Sequence, residues 1–242
     1  MALFEVSFRS RILSAQEHLA VFTPELAELS KPVPTLFFLH GLEQDASSVL
    51  RKSYLEVWAL QNSVAVVVAD AGKSFYANMT YGERYRDFFV EELPVFLRNQ
   101  FAWYSNQDRF NSIAGLSMGG YGALSLGLSL GQRFKHIFAF SAPSNLFFES
   151  GPEGLSKVLV QVFGNKSAYE NSESDLNWLI ANSDPKLAPD IDLFCGTEDF
   201  LFEQNVELDR WLTKYNFQHT FQTWTGGHDW FFWNECLSKM IF

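Results

Sequence analysis

The sequence predicts an α/β fold, in which a mostly parallel central sheet carries helices on both faces. Apolar runs of strand length recur along the chain, and those at 35–39 and 64–69 are continuous, as in strands covered on both faces. Segments with helical spacing separate these runs, so strands and helices alternate. With 242 residues, the chain is long enough to bury a large core. We therefore expect a single domain over residues 1–242.

The strands are predicted from two patterns. Residues 2–8 alternate between two faces with the period of a strand, whereas the later runs are apolar throughout. Residues 25–34 are polar and contain prolines, which is typical of a surface loop. In chain order, the predicted strands span 2–8, 17–22, 35–39, 64–69, 110–114, 135–140, 191–195 and 217–224.

The helices are predicted from apolar positions that recur with a period near 3.6. The predicted helices span 48–61, 81–100, 118–130, 203–215 and a carboxy-terminal stretch that ends near residue 240. Residues 145–189 break the regular alternation and are too long for a plain crossover loop. Two short helices are expected inside this segment, at 155–163 and 173–181. We interpret it as a cap-like insertion over a pocket.

A glycine-rich turn between the strand at 110–114 and the helix at 118–130 contains Gly115-x-Ser117-x-Gly119. This is the G-x-S-x-G pattern of a nucleophile elbow, which holds a serine hydroxyl clear of the backbone on a sharp strand-to-helix turn. The small neighbours are needed because strand and helix approach closely there. The strand before it and the helix after it support the prediction that Ser117 is a nucleophile.

A serine hydroxyl needs a base and an orienting acid. His228 follows the last predicted strand, and Asp199 follows the strand at 191–195, so both are expected at the same sheet edge as Ser117. Glycines precede both residues, as sharp turns require. Glu198 is the closest alternative for the acid, and Asp229 is a weaker one.

The strand at 35–39 ends in His40-Gly41-Leu42. A glycine turn straight after a central strand can aim backbone N–H groups at a bound ligand, and we expect the N–H of Leu42 to do so. The side chain of His40 is expected to hold this loop. Asp70 ends another strand, and we expect it to cap a loop.

Composition and charge narrow the class of protein. The net charge of −10 argues against nucleic acid or an anionic membrane surface as a partner. Residues 110–132 carry no charge, but their glycines and serines favour a buried strand and helix over a membrane span. The first nine residues lack the pattern of a signal peptide, so a cytoplasmic protein is expected. Two cysteines are too few for a disulfide framework.

Metal and nucleotide motifs are missing from the sequence. It contains no H-x-x-x-H or H-E-x-x-H pattern, no paired cysteine spacing, no Walker loop and no G-x-G-x-x-G. We therefore predict neither a metal nor an organic cofactor.

Four stretches carry a resemblance to a known family. They are Phe38 to Leu42, Ala114 to Leu124, Cys195 to Asp199, and Gly227 to Trp230 with Trp233. The chain resembles the serine-esterase branch of the α/β-hydrolases that includes tributyrin esterases, S-formylglutathione hydrolases and antigen 85 mycolyltransferases. It is most similar to small intracellular tributyrin (cinnamoyl) esterases.

The resemblance implies an α/β-hydrolase fold with Ser117, Asp199 and His228 as the catalytic triad. It also implies that the N–H groups of Leu42 and Met118 form the oxyanion hole. One residue departs from the family pattern, because the formylglutathione branch typically has a histidine where this chain has Tyr121. That difference argues against a glutathione substrate.

These observations predict a serine carboxylesterase that cleaves short-chain acyl esters through an acyl-enzyme, with a small-molecule ester as its partner. The alternatives are a feruloyl, cinnamoyl or acetyl esterase acting on carbohydrate-linked esters, an S-formylglutathione hydrolase, an acyltransferase with the same site, and a non-catalytic binding protein on this scaffold. The sequence leaves open whether the chain forms a homo-oligomer.

The cap is expected to close the acyl pocket at a fixed depth. The apolar side chains that could line the pocket are Leu146, Phe147, Phe148, Leu155, Val158 and Phe163. A closed apolar pocket favours longer chains only until it is full, so we expect turnover to peak at acyl chains of about two to six carbons.

Overall fold

The computed structural model describes residues 1–24, 32–105, 107, 110–148 and 151–241. One sheet of eight strands runs through this part of the chain in the order β1-β2-β4-β3-β5-β6-β7-β8. The strands are β1 (Ala2–Arg9), β2 (Gln16–Thr23), β3 (Thr35–Leu39), β4 (Ala65–Ala69), β5 (Asn111–Leu116), β6 (His136–Phe140), β7 (Asp190–Gly196) and β8 (His219–Trp224). Of the predicted loop at 25–34, residues 25–31 lie outside the described residues.

Strand directions confirm the mostly parallel sheet. Strand β2 pairs antiparallel with β1 and with β4, and every other neighbouring pair is parallel. The carboxyl ends of β3, β5, β6, β7 and β8 therefore meet at one edge. In open α/β sheets, ligands bind at this edge.

Helices cover both faces of the sheet, as predicted. They are α1 (Ala46–Lys52), α2 (Leu55–Asn62), α3 (Tyr85–Asp87), α4 (Leu93–Gln100), α5 (Met118–Leu130), α6 (Leu155–Phe163), α7 (Lys166–Tyr169), α8 (Leu176–Asn182), α9 (Phe202–Lys214) and α10 (Trp230–Lys239). Alternate strand residues enter two separate cores, so that Phe37 and Phe38 point to opposite faces.

The helix predicted at 48–61 is two helices. Ser53 has an extended backbone between α1 and α2, and its hydroxyl donates to the Val49 carbonyl at 2.7 Å. Asn234 of α10 holds the break, because its side chain accepts from the Tyr54 N–H at 2.8 Å and donates to the Lys52 carbonyl at 2.9 Å. A tertiary contact therefore divides a segment whose local pattern is helical throughout.

The helix predicted at 81–100 begins later and is irregular. Asn78 and Arg84 form an antiparallel bridge, so the helix starts at Tyr85. It passes through a π-helical turn, Phe88–Glu92, before α4. Proline at 94 lacks the N–H that a regular helix would direct at the Val90 carbonyl. Arg133 donates to that carbonyl instead, at 2.7 Å.

The cap-like segment contributes α6, α7 and α8, and the helix predicted at 173–181 is observed as Leu176–Asn182. No helix among the described residues is long and apolar enough to cross a membrane. The division of the chain into one domain with an insertion at 145–189 stays a prediction.

Candidate active site

Ser117 lies between β5 and α5 in a strained conformation. Its φ is +55° and its ψ is −119°, a combination that L-residues rarely adopt. A β-carbon on Gly115 would overlap the carbonyl of Gly119, and one on Gly119 would overlap the carbonyl of Leu39. Only glycine at these two positions lets strand and helix approach closely enough to make this turn.

Of the three side chains predicted as a triad, His228 lies within hydrogen-bonding distance of both Ser117 and Asp199. His228 Nε2 is 2.9 Å from Ser117 Oγ. His228 Nδ1 is 2.9 Å and 3.1 Å from the two carboxylate oxygens of Asp199. These three residues are far apart in the sequence, and the parallel sheet brings them together at the carboxyl ends of β5, β7 and β8. The arrangement can move a proton from a hydroxyl to an imidazole that a carboxylate orients.

Asp199 is held as a carboxylate in a buried position, since none of its side chain is exposed. Burial by itself would raise its pKa. Hydrogen bonds and charge from His228, with further hydrogen bonds from the Leu201 N–H and from Ser141, outweigh burial and lower the pKa of Asp199. The Leu201 N–H donates to Asp199 Oδ1 at 2.8 Å. The acid is therefore ionised and fixed in direction.

The alternative acids lie elsewhere. Glu198 is exposed to solvent. Asp229 caps α10, where its Oδ1 accepts from the N–H groups of Phe231 and Phe232 at 2.9 and 3.0 Å. Asp70 accepts from the Ala46 N–H at 2.7 Å, which is the capping role expected of it.

The loop after β3 is fixed from below by His40. The Ala71 N–H donates to His40 Nε2 at 2.9 Å, so Nδ1 carries the proton and donates to the Gly41 carbonyl at 2.8 Å. Burial lowers the pKa of His40, which keeps it neutral. The Tyr76 hydroxyl donates to the His40 carbonyl at 2.9 Å. This side chain holds the loop and does not contact Ser117.

Leu42 and Met118 both line the pocket that contains Ser117. Within the described part of the chain, neither backbone N–H has a hydrogen-bond acceptor. Two free donors beside a serine hydroxyl can bind an oxygen that becomes negatively charged during reaction.

The pocket around Ser117 is narrow and apolar, with a volume of about 40 Å³. Of the six side chains predicted to line it, Leu146, Phe148 and Leu155 do so. Phe147 and Phe163 instead pack against Tyr169, with ring centroids 5.3 and 5.2 Å apart, and Val158 packs against the hydrophobic core. The other lining residues are Leu42, Phe75, Met118, Pro143, Pro152, Phe200 and Leu201.

Tyr121 lies beneath the site and is not part of the pocket lining. It is buried, and its hydroxyl donates to the Ser174 carbonyl at 2.5 Å, which ties α5 to the cap segment. The residue at which this chain departs from the formylglutathione pattern therefore belongs to the internal packing and not to the pocket wall.

Sequence reasoning missed several residues of the site, among them Phe200, Phe75 and Ser141. Phe200 packs over the His228 ring with centroids 4.6 Å apart, and Phe75 forms part of the pocket wall. Ser141 contacts Asp199 from the end of β6. The sequence signal for all three is the same, since each follows a predicted strand that ends at the site edge. In the described part of the chain, no group of three or more His, Cys, Asp or Glu side chains could hold a metal ion.

Comparison with known proteins gives concordant matches. The Esterase family, described as "Putative esterase", matches residues 10–242. An acetyl esterase of Caldicellulosiruptor saccharolyticus is 28% identical over an alignment of 257 positions. The alignment covers 99% of this chain and 96% of that protein.

Two solved structures from Staphylococcus aureus match almost the whole chain. The fluorophosphonate-binding serine hydrolase FphF, solved with substrate bound, has a TM-score of 0.90 at 27% identity and covers 98% of this chain and 96% of its own. The S-formylglutathione hydrolase FrmB has a TM-score of 0.87 at 27% identity, with the same two coverages. These matches confirm the predicted fold and the resemblance to the serine-esterase branch.

Proposed function

We propose that this chain, which belongs to the Esterase family and is a carboxylic ester hydrolase, cleaves short-chain acyl esters by a Ser117–His228–Asp199 triad. The observation that carries the proposal is the unbroken chain of hydrogen bonds from the Ser117 hydroxyl through His228 to the Asp199 carboxylate. The free N–H groups of Leu42 and Met118 supply the remaining element, an oxyanion hole.

In the first half of the proposed reaction, His228 Nε2 takes the proton of Ser117 as its oxygen attacks the ester carbonyl. The carbonyl oxygen becomes an oxyanion, which the N–H groups of Leu42 and Met118 stabilise. Asp199 accepts the Nδ1 proton of His228 in a hydrogen bond. It thereby fixes the tautomer that leaves Nε2 free to act as a base, and it stabilises the imidazolium that forms.

In the second half, the tetrahedral intermediate collapses and the bond to the alcohol oxygen breaks. The imidazolium gives its proton to the departing alcohol, which leaves an acyl group on Ser117. Water then loses a proton to His228 and attacks the acyl carbonyl. The bond between the acyl carbon and Ser117 Oγ breaks, which releases the carboxylic acid, and the imidazolium returns its proton to Ser117.

A test of the nucleophile is covalent labelling with a fluorophosphonate probe. We expect one probe per chain, attached to Ser117, because only an activated serine attacks phosphorus rapidly. Mass spectrometry of the digested protein identifies the labelled peptide. The Ser117→Ala variant should take up no probe, and label on any other residue would contradict the assignment.

The acyl group is proposed to occupy the narrow pocket beside Ser117, with residues 145–189 as its cap. Leu146, Phe148 and Leu155 of this segment line the pocket, which supports that role. Each methylene that enters an apolar pocket contributes about 0.8 kcal/mol, and a group that exceeds the available space causes strain.

Turnover of nitrophenyl esters should therefore peak at acyl chains of about two to six carbons and fall for longer ones. A chain-length series measured as kcat/KM checks this, with Leu155→Ala as the variant that enlarges the pocket. That variant should move the peak to longer chains. If long-chain emulsified triglycerides were better substrates than butyrate esters, the capped short-acyl proposal would be wrong even with the triad correct.

The same assays separate the alternative activities. Added alcohol acceptors reveal an acyltransferase by new ester products, and a feruloyl ester reveals an aromatic-acyl preference. S-formylglutathione belongs in the panel because a relative of 27% identity is described as its hydrolase.

A further inference from the structure

Ser141 follows β6 in a backbone conformation that disfavours serine. Its φ is +49°, its side chain is fully buried, and its N–H donates to the Phe194 carbonyl at 2.7 Å. Glycine would adopt this conformation without strain. Strained residues persist where their surroundings hold them, and they cluster at functional sites. The serine at this position therefore points to a use for its hydroxyl group.

The hydroxyl of Ser141 connects Trp233 to the acid of the site. Trp233 Nε1 is 3.0 Å from Ser141 Oγ, and Ser141 in turn hydrogen-bonds to Asp199. An indole N–H can only donate, and a carboxylate can only accept. The direction of the first bond is therefore fixed, because Trp233 donates to the Ser141 oxygen. The Ser141 hydroxyl has one proton and two neighbouring acceptors, the Asp199 carboxylate and the Cys195 sulfur, of which the charged carboxylate is the stronger.

Trp233 also contacts the base of the site. Its ring meets the His228 ring edge to face, with centroids 5.0 Å apart and an angle of 83° between the planes. Trp233 is buried in α10 and packs in the same core as Phe140 of β6. One rigid side chain thus touches the histidine directly and the carboxylate through a single hydroxyl.

We propose that Ser141 and Trp233 are positioning residues that align the Asp199 carboxylate with His228 and thereby tune the pH dependence of the triad as a unit. The inference rests on the proposed function, since it assigns a role toward the triad. It adds to the triad two residues that themselves supply no reacting atom.

Few other titratable groups face this pair. Cys195 of β7 lies near Asp199, and burial together with the Asp199 charge raises the pKa of its thiol, so it stays neutral through the assay range. Cys236 of α10 is buried behind it and has its pKa raised in the same direction, mainly by burial. Asp229 follows His228 but is exposed and caps α10. The shift tested below can therefore be assigned to Asp199 and His228.

The test is the pH profile of kcat/KM in Ser141→Ala and Trp233→Phe. Loss of the donor leaves the Asp199 carboxylate less stabilised and more basic, so the pair of Asp199 and His228 holds its proton more tightly. We expect kcat/KM at the optimum to fall about 10- to 100-fold in Ser141→Ala. The midpoint of the acid limb should move to higher pH. Trp233→Phe keeps a ring against His228 and should change both quantities in the same direction.

Trp230→Phe is the matched control for Trp233→Phe. It removes the same part of an indole from the same helix, but Trp230 Nε1 has no partner among the described residues. Its pH profile should be unchanged. Because Trp233 acts through Ser141, the double variant should lose little more than Ser141→Ala alone.

Ser141→Gly separates the hydroxyl from the backbone strain. Glycine relieves the strain at φ +49°, so this variant should unfold at a higher temperature than Ser141→Ala and yet share its kinetic defect. An unchanged acid limb in both Ser141 variants, or an equal shift in Trp230→Phe, would overturn the inference. Full activity in Ser117→Ala would overturn the proposed triad instead, so the two failures are distinguishable.

Discussion

Replacement of Ser117 by alanine is expected to lower ester turnover by about 10⁴- to 10⁶-fold. Alanine removes the oxygen that attacks the ester carbonyl, and no other hydroxyl lies within hydrogen-bonding distance of His228 Nε2 among the described residues. The activity that remains would come from substrate binding and the oxyanion hole. Single-turnover and steady-state rates with a nitrophenyl butyrate substrate measure the loss.

The control for this variant is its stability. Serine and alanine adopt φ +55° with similar difficulty, so the thermal midpoint of Ser117→Ala should stay close to that of the parent protein. Ser117→Gly should be equally inactive but more stable, because glycine relieves the strain. A Ser117→Ala protein that is folded and retains more than about a tenth of the parent rate would exclude this serine as the nucleophile.

Replacement of Asp199 by asparagine is expected to lower turnover by about 10⁴-fold. An amide has nearly the same shape, but it presents an NH₂ group where His228 Nδ1 needs an acceptor. The imidazole then loses the tautomer that leaves Nε2 free to accept the proton of Ser117. Steady-state kcat for the variant, measured beside its circular dichroism spectrum, tests the loss.

Glu198→Gln is the matched control, since it makes the same chemical change at the adjacent residue. Glu198 is exposed, whereas Asp199 is buried against His228, so the control should change turnover less than about threefold. If Glu198→Gln were the more damaging of the two substitutions, the acid would have to be reassigned.

The strand ends that build the site could be predicted from the sequence, because buried parallel strands have a strong local signature. The runs before Ser117 and Asp199 end in apolar residues, Ile113-Ala114 and Leu193-Phe194-Cys195, and a glycine lies close to each of the two site residues in the turn that follows. Parallel direction then places the turns at one edge without further information. The proximity of Ser117, Asp199 and His228 follows from that topology, while their catalytic roles stay predictions.

Other features of the fold depend on tertiary contacts that a local sequence pattern does not predict. The break between α1 and α2 is held by Asn234, which is 180 residues away in the sequence from Tyr54. The strained backbone of Ser141 depends on a contact between the ends of β6 and β7, where its N–H donates to the Phe194 carbonyl. The residue type at position 141 does not predict this strain. Three of the six side chains predicted for the pocket wall lie elsewhere for a similar reason, since Phe147 and Phe163 pack against the ring of Tyr169 and Val158 packs against the core.

The two glycines that flank Ser117 have a consequence for the evolution and engineering of this enzyme. Neither takes part in the proposed chemistry, and yet a methyl group on either would collide with backbone that cannot move aside. A library randomised at Gly115 and Gly119 should therefore return glycine whichever ester is used for selection. Conservation of glycine at these positions would therefore reflect the close approach of β5 and α5. Substrate preference can diverge only through the side chains of the pocket wall.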